Sequence, residues 1–208
     1  MSWANDLSLM AIAGQDAAGD HLVGTLHPTT GAWKQLAKVS SEDGNVNPVS
    51  RVYIPGSSSK NGGDFIIQVN VNSVITNIVV NMGSGQVRKA SGGAISAMVY
   101  NPKDGMVYGL GMVASPPPRG FNRTVVKMVP ATLAVSTVAQ VADYGIDSGS
   151  LSTLDVKTQS LYWIGMKQPY VPNTGMGFYL VKTSILDGTS SASKAQLCSD
   201  WMYCPFSL

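Results

Sequence analysis

The chain has little of what most functional assignments start from. Its 208 residues include two cysteines and two histidines, and charged residues make up 12%, against roughly 25% in an average soluble domain. So sparse a charge argues against long solvated helices and against disorder. The net charge of +2 is evenly scattered, which leaves no basic stripe for nucleic acid. No apolar run approaches the roughly 18 residues that a membrane helix needs, so no membrane span is expected. The first twenty residues have no cationic start and no cleavable apolar stretch. No signal peptide is therefore read, and the chain fits either an intracellular protein or a mature form of a secreted one.

Catalytic signatures are equally scarce. The spacing of Cys198 and Cys204 suits a disulfide in an oxidising compartment and, equally, two thiols in a reducing one. His21 and His27 are six residues apart and would share one side of a strand, with no nucleophile placed beside them. "GSGQVRK" from Gly83 lacks the Gly-Lys-Ser/Thr ending of a phosphate loop, and "GLGMVAS" from Gly109 reads as strand with no helix to follow. The triplet Asn122-Arg-Thr matches a glycosylation sequon, a pattern short enough to arise by chance.

What is abundant is glycine (22 residues), serine, threonine and short alternating apolar stretches, the composition of many short strands joined by tight turns. The chain also repeats itself. "LHPTTGAWKQLAKV" from Leu26 lies without a gap on "MVPATLAVSTVAQV" from Met128, sharing Pro28/Pro130, Thr30/Thr132, Ala32/Ala134, Ala37/Ala139 and Val39/Val141. Weaker copies start at Ile78 and Thr183, so four units of about fifty residues span the chain. A second alignment, 96–112 on 150–166, pairs Tyr108 with Tyr162, Gly111 with Gly165 and Met112 with Met166. Each stretch is two short strands around a polar turn. The segment from Val125 adds a third strand and "AVSTVAQV" a fourth, giving a four-stranded antiparallel meander.

Four strands in about fifty residues, repeated, are the arithmetic of a propeller blade. The pattern resembles β-propeller repeat proteins in general over essentially the whole chain. The Trp-Asp ending and the double-glycine strand of two large propeller families are absent, and hemopexin-type rings are matched in blade count alone. The expected fold is an all-β, four-bladed β-propeller in one domain, with blades at 7–39 plus 202–208, 46–90, 95–141 and 150–197. The first blade has few residues ahead of its second strand, so residues 202–208 are expected to return and close the ring, which would remove two exposed edges. The alternative is a half-ring completed by a second copy. Alternating residues such as Met98, Met106, Tyr108, Leu110, Leu161 and Trp163 are expected in the core between blades. The second blade carries a long insertion at 56–64, and unequal loops often carry function.

In such an array one rim is built from the connections at 14–20, 114–121 and 167–177 and from those between blades at 40–48, 91–94, 142–149 and 199–201. Asp43, Asp143 and Asp200 fall in equivalent places after three fourth strands, and carboxylates converging there would suit a Ca²⁺ ion on the axis. Arg119, Phe121, Tyr144, Tyr170 and Trp201 form a second set, because aromatic faces with polar neighbours suit sugars, peptides or cations. Three functions follow from different classes. One is a non-enzymatic, lectin-like binding module for a glycan, peptide or small molecule. Another is a metal-dependent hydrolase or lactonase of the propeller kind. The last is a structural or assembly protein whose outer blade edges, the loop at 56–64 above all, contact other chains, with a homo-oligomer among the expected assemblies.

Overall fold

The structure is a computed structural model that describes residues 2–3, 10–17, 19–39, 47–56, 62–71, 74–114, 121–141, 143–145, 152–167 and 177–197. Four antiparallel sheets follow one another along the chain, and the described residues contain no helix. The first holds β1 (Ser2–Trp3), β2 (Met10–Gln15), β3 (His21–Leu26) and β4 (Trp33–Val39); the second holds β5 (Asn47–Ile54), β6 (Asp64–Val71), β7 (Val74–Asn81) and β8 (Val87–Ser91). In the third are β9 (Ser96–Asn101), β10 (Met106–Ala114), β11 (Phe121–Met128) and β12 (Val135–Val141). The fourth has β13 (Tyr144–Gly145), β14 (Ser152–Asp155), β15 (Ser160–Lys167), β16 (Phe178–Ser184) and β17 (Ser190–Ala192). Strands are ordered as in the sequence, so each sheet is a meander. In the fourth, β14 and β13 share one edge of β15, the first opposite Ser160 to Trp163 and the second opposite Met166 and Lys167.

Two boundaries differ from the sequence reading. The outer edge of β2 is taken by Ser2 and Trp3, opposite Ala11 and Met10, so the N-terminus itself supplies a first strand. Residues 202–208, expected in that place, lie outside the described residues. The fourth sheet starts at Tyr144, within a stretch expected to be a connection, because that strand is too short to show alternation.

The repeat is clearest in the turn joining the last two strands of each sheet. His27, Asn81, Val129 and Ser184 each accept from the amide four residues on and donate to the carbonyl five residues on. The fifth residue of each turn, Gly31, Gly85, Leu133 or Gly188, has positive φ. Its predecessor, Thr30, Ser84, Thr132 or Asp187, accepts the amide two residues on through a side-chain oxygen. A short polar acceptor and a left-handed residue are what this turn demands, so they recur while the flanks drift. The turn aligns His27 with Asn81, which moves the second copy two residues from the register that Ile78 suggests. A shift of two keeps every side chain on its own face. His27 serves this turn too: its Nδ1 accepts from Thr29 and Thr30 at 3.3 Å.

Contacts cluster into two compact units, Met1–Gly93 and Ala94–Leu208, and each is two sheets packed face to face. In the first, Val23 and Ala37 meet Phe65, Ile67, Val69, Ile78 and Val80. In the second, Leu110, Val125, Ala139 and Val141 meet Leu161, Trp163 and Val181. The two junctions share one device. A bulge at Leu36 breaks the β3–β4 register and one at Val138 breaks β11–β12, at positions the repeat aligns. Each bulge carbonyl then lies beside the left-handed glycine of the next sheet's turn: a Cβ on Gly85 would stand 3.0 Å from the oxygen of Leu36, and one on Gly188 3.0 Å from that of Val138.

The second unit is also tied by polar bonds between its sheets. Asn101 Nδ2 donates to Gln159 Oε1 at 2.9 Å, and Ser152 Oγ to the Ala97 carbonyl at 2.6 Å. Tyr108 packs in the same core and its hydroxyl donates to Asp104 Oδ2 at 2.7 Å. Burial, reinforced by the Asp104 carboxylate, raises the Tyr108 pKa well above the ordinary 10. A raised folded-state value means full stabilisation below pH 10 and its loss as pH climbs beyond. Urea unfolding should therefore show stability falling above pH 10, and Tyr108→Phe should flatten that fall; an unchanged slope would contradict the assignment.

Candidate functional site

A cleft of about 480 Å³ opens in the second unit, beside the junction of its sheets. Val141, at the end of β12, and Val181, on β16, form an apolar floor and are buried. Gln140, Asp143, Ser190 and Ser191 are exposed polar groups on its walls. Gly188 and Ala192 line it as well, so small residues keep it open. Ser190 Oγ is 3.0 Å from Thr183 Oγ1, which in turn accepts from the buried Trp163 indole at 3.3 Å. This chain holds the serine wall against the core.

Tyr144 completes the lining. As the first residue of β13 it pairs with Lys167, and its ring meets that of Tyr179 edge-on, 5.9 Å between centroids at 67°. Gly165 makes room for it, since a Cβ there would come within 3.0 Å of the Tyr144 Cβ and 2.9 Å of Trp163 and Val181. Burial pushes the Tyr144 pKa up, with smaller contributions from Tyr179 and Asp143. Its hydroxyl therefore stays a neutral donor and acceptor at physiological pH. The lining thus combines one carboxylate, one amide, three hydroxyls and two valines around a pre-formed hollow, a surface suited to hydrogen-bonding a polar ligand rather than to capturing a strong charge.

Of the residues proposed from sequence, Asp143 and Tyr144 are brought together in this cleft. Phe121 is the first residue of β11, opposite Ala114, rather than part of a loop. Arg119, Tyr170, Trp201, Asp43 and Asp200 lie outside the described residues, as do Cys198 and Cys204. Among the described residues no three His, Cys, Asp or Glu side chains gather as a metal site. The sequon falls inside β11 with Thr124 buried. Sequence reasoning missed Gln140, Ser190 and Ser191, whose only signal was the serine-rich stretch after Gly188.

The first unit carries a second polar group, where β2 turns into β3. Lys38 Nζ lies 2.5 Å from Asp20 Oδ2 and 3.3 Å from Asp16 Oδ2, and Asp16 also accepts the Asp20 amide at 3.0 Å. Asp20 first, then Asp16, hold the Lys38 ammonium above the usual lysine range. Asp16 and Asp20 thus share one exposed lysine, and the Asp16 carboxylate also caps its own turn.

No family model and no curated protein matches the sequence. Solved structures do match in fold. TolB from Acinetobacter baumannii superposes with a TM-score of 0.57 at 12% identity, covering 95% of this chain and 43% of its own. An acylaminoacyl peptidase from Pyrococcus horikoshii gives 0.52 at 10%, covering 91% and 30%. A 6-phosphogluconolactonase-like protein from Bacteroides fragilis gives 0.50 at 13%, covering 94% and 56%. These are β-propeller proteins, and the likeness shows the fold: this chain is an array of propeller-type, four-stranded antiparallel sheets. It spans less than half the length of TolB and under two thirds of the other two.

Proposed function

We propose that this chain is a non-enzymatic, ligand-binding propeller module, and that the cleft beside Tyr144 takes a hydroxyl-rich or amide-rich ligand, a glycan before a peptide. The observation that carries this reading is the convergence of Asp143 and Tyr144 with Gln140, Ser190 and Ser191 around one hollow with a valine floor. Neutral donors and acceptors at fixed spacing recognise hydroxyl groups, and the edge of an aromatic side chain adds apolar contact. The single carboxylate can accept two hydroxyl hydrogens from one sugar.

Calorimetric titration with a panel of neutral oligosaccharides and proline-rich peptides tests it. Removing one neutral hydrogen bond costs about 0.5–1.5 kcal/mol, and one to a charged group about 1.5–3 kcal/mol. Tyr144→Phe should therefore weaken the tightest binder roughly three- to tenfold and Asp143→Ala roughly tenfold or more. Binding that survives both changes would refute the site. Calcium titrated into the same protein distinguishes the metal-dependent reading: heat lost in Asp143→Ala would favour an ion held with Asp43 and Asp200.

A further inference from the structure

The hydroxyl chain behind Ser190 has a direction, and that direction decides what the cleft offers a ligand. Trp163 and Thr183 are both buried. An indole N–H only donates, so Thr183 Oγ1 is the acceptor in their 3.3 Å bond. The Thr183 proton then needs an acceptor of its own, because water does not reach it. Among the described residues that acceptor is Ser190 Oγ, 3.0 Å away. The reverse arrangement, with Ser190 donating, would leave a buried O–H without a partner. Ser190 Oγ therefore accepts from Thr183, which frees its own proton for the cleft it lines.

Strand pairing sets apolar surface beside this donor. Ser190 stands opposite Thr183 and Ala192 opposite Val181 in the β16–β17 pair. Val181 thus lies two residues from Thr183 on the same face, about 7 Å along the strand. Val141 and Ala192 line the cleft with it, and the exposed Asp143 carboxylate, an acceptor, stands on the wall. A donor, a methyl-sized apolar floor and an acceptor match the carbonyl oxygen, methyl and N–H of an acetamido group. A bare sugar hydroxyl would use the donor and leave the valines uncovered.

Resting on the glycan reading of this cleft, we infer that it takes an N-acetylated sugar, and that Thr183 is a positioning residue that holds Ser190 as the donor to the acetamido carbonyl.

Calorimetry with triacetylchitotriose and cellotriose tests it, since the two share a backbone and differ in carrying acetamido or hydroxyl groups. The acetylated sugar should bind roughly tenfold tighter, and Ser190→Ala should weaken it roughly three- to tenfold. Thr183→Val keeps the side chain's shape but releases the Ser190 proton, so the preference should shrink, and Thr183→Ser should restore it. The Trp163 indole N–H resonance, identified by its loss in Trp163→Phe, should shift when triacetylchitotriose binds, because a bond to Ser190 polarises the chain behind it; in Ser190→Ala it should stay in place. Cellotriose bound as tightly as triacetylchitotriose in the same cleft would overturn the acetamido assignment and leave the glycan reading standing, whereas binding of neither would remove both. A full preference kept in Thr183→Val would overturn the positioning role. Should Thr183→Val fail to fold, Ser190→Ala with the same two sugars decides.

Discussion

Replacing Trp163 with alanine is expected to destabilise the second unit by about 3–5 kcal/mol, the range for removing a buried aromatic side chain. Trp163 is the largest fully buried side chain in the protein's described core. It packs between the two sheets with Leu161, Val181, Leu110 and Val125, so its loss opens a hollow that neither sheet can fill without breaking strand pairing. The indole also donates to Thr183 Oγ1, and that hydroxyl would lose a partner inside the core. Urea unfolding followed by circular dichroism measures the effect. Trp163→Phe should recover most of the apolar contact but not the hydrogen bond, placing it between the two. A loss below about 1 kcal/mol for the alanine variant would mean that the sheets are not held together by this layer.

Gly188→Ala should cost about 2–3 kcal/mol, more than the same change at Gly105. Both residues have positive φ, 75° and 74°, so both variants bear the roughly 1–2 kcal/mol of a left-handed alanine. At Gly105 a Cβ would meet open space, whereas at Gly188 it would lie 3.0 Å from the Val138 carbonyl and 3.4 Å from the Ala139 Cβ. Comparing the two variants isolates the docking of the bulge on the turn. Because Gly188 also lines the cleft, its alanine variant should weaken ligand binding, which Gly105→Ala should leave alone. Equal destabilisation at the two positions would show that the bulge carbonyl does not lock the junction.

The fold was legible because its commonest turn is chemically narrow. Pro28 and Pro130, and Thr30 and Thr132, mark the same two steps of one turn, so the sequences align without a gap. The second copy was harder, since alternating Ile78 and Val80 fit two registers equally and only Asn81 and Gly85 decide between them. Alternation also placed Leu110, Leu161 and Trp163 in the core, where they are buried. The cleft was half legible. Asp143 and Tyr144 stood out as an acid and an aromatic just after a fourth strand. Ser190 and Ser191 did not, because a three-residue polar strand has no apolar period to reveal it. Nothing in the sequence indicated that Gly165 makes room for Tyr144, because that depends on a neighbour from another strand.

Backbone amide chemical-shift mapping, with the tightest-binding oligosaccharide of the panel added stepwise, tests the binding cleft most directly. The amides of Gln140, Val141, Tyr144, Ser190, Ser191 and Ala192 should move together and saturate at one affinity, while those of Asp16, Asp20 and Lys38 stay in place. Shifts that leave these cleft amides untouched and appear elsewhere would contradict the assignment of the site.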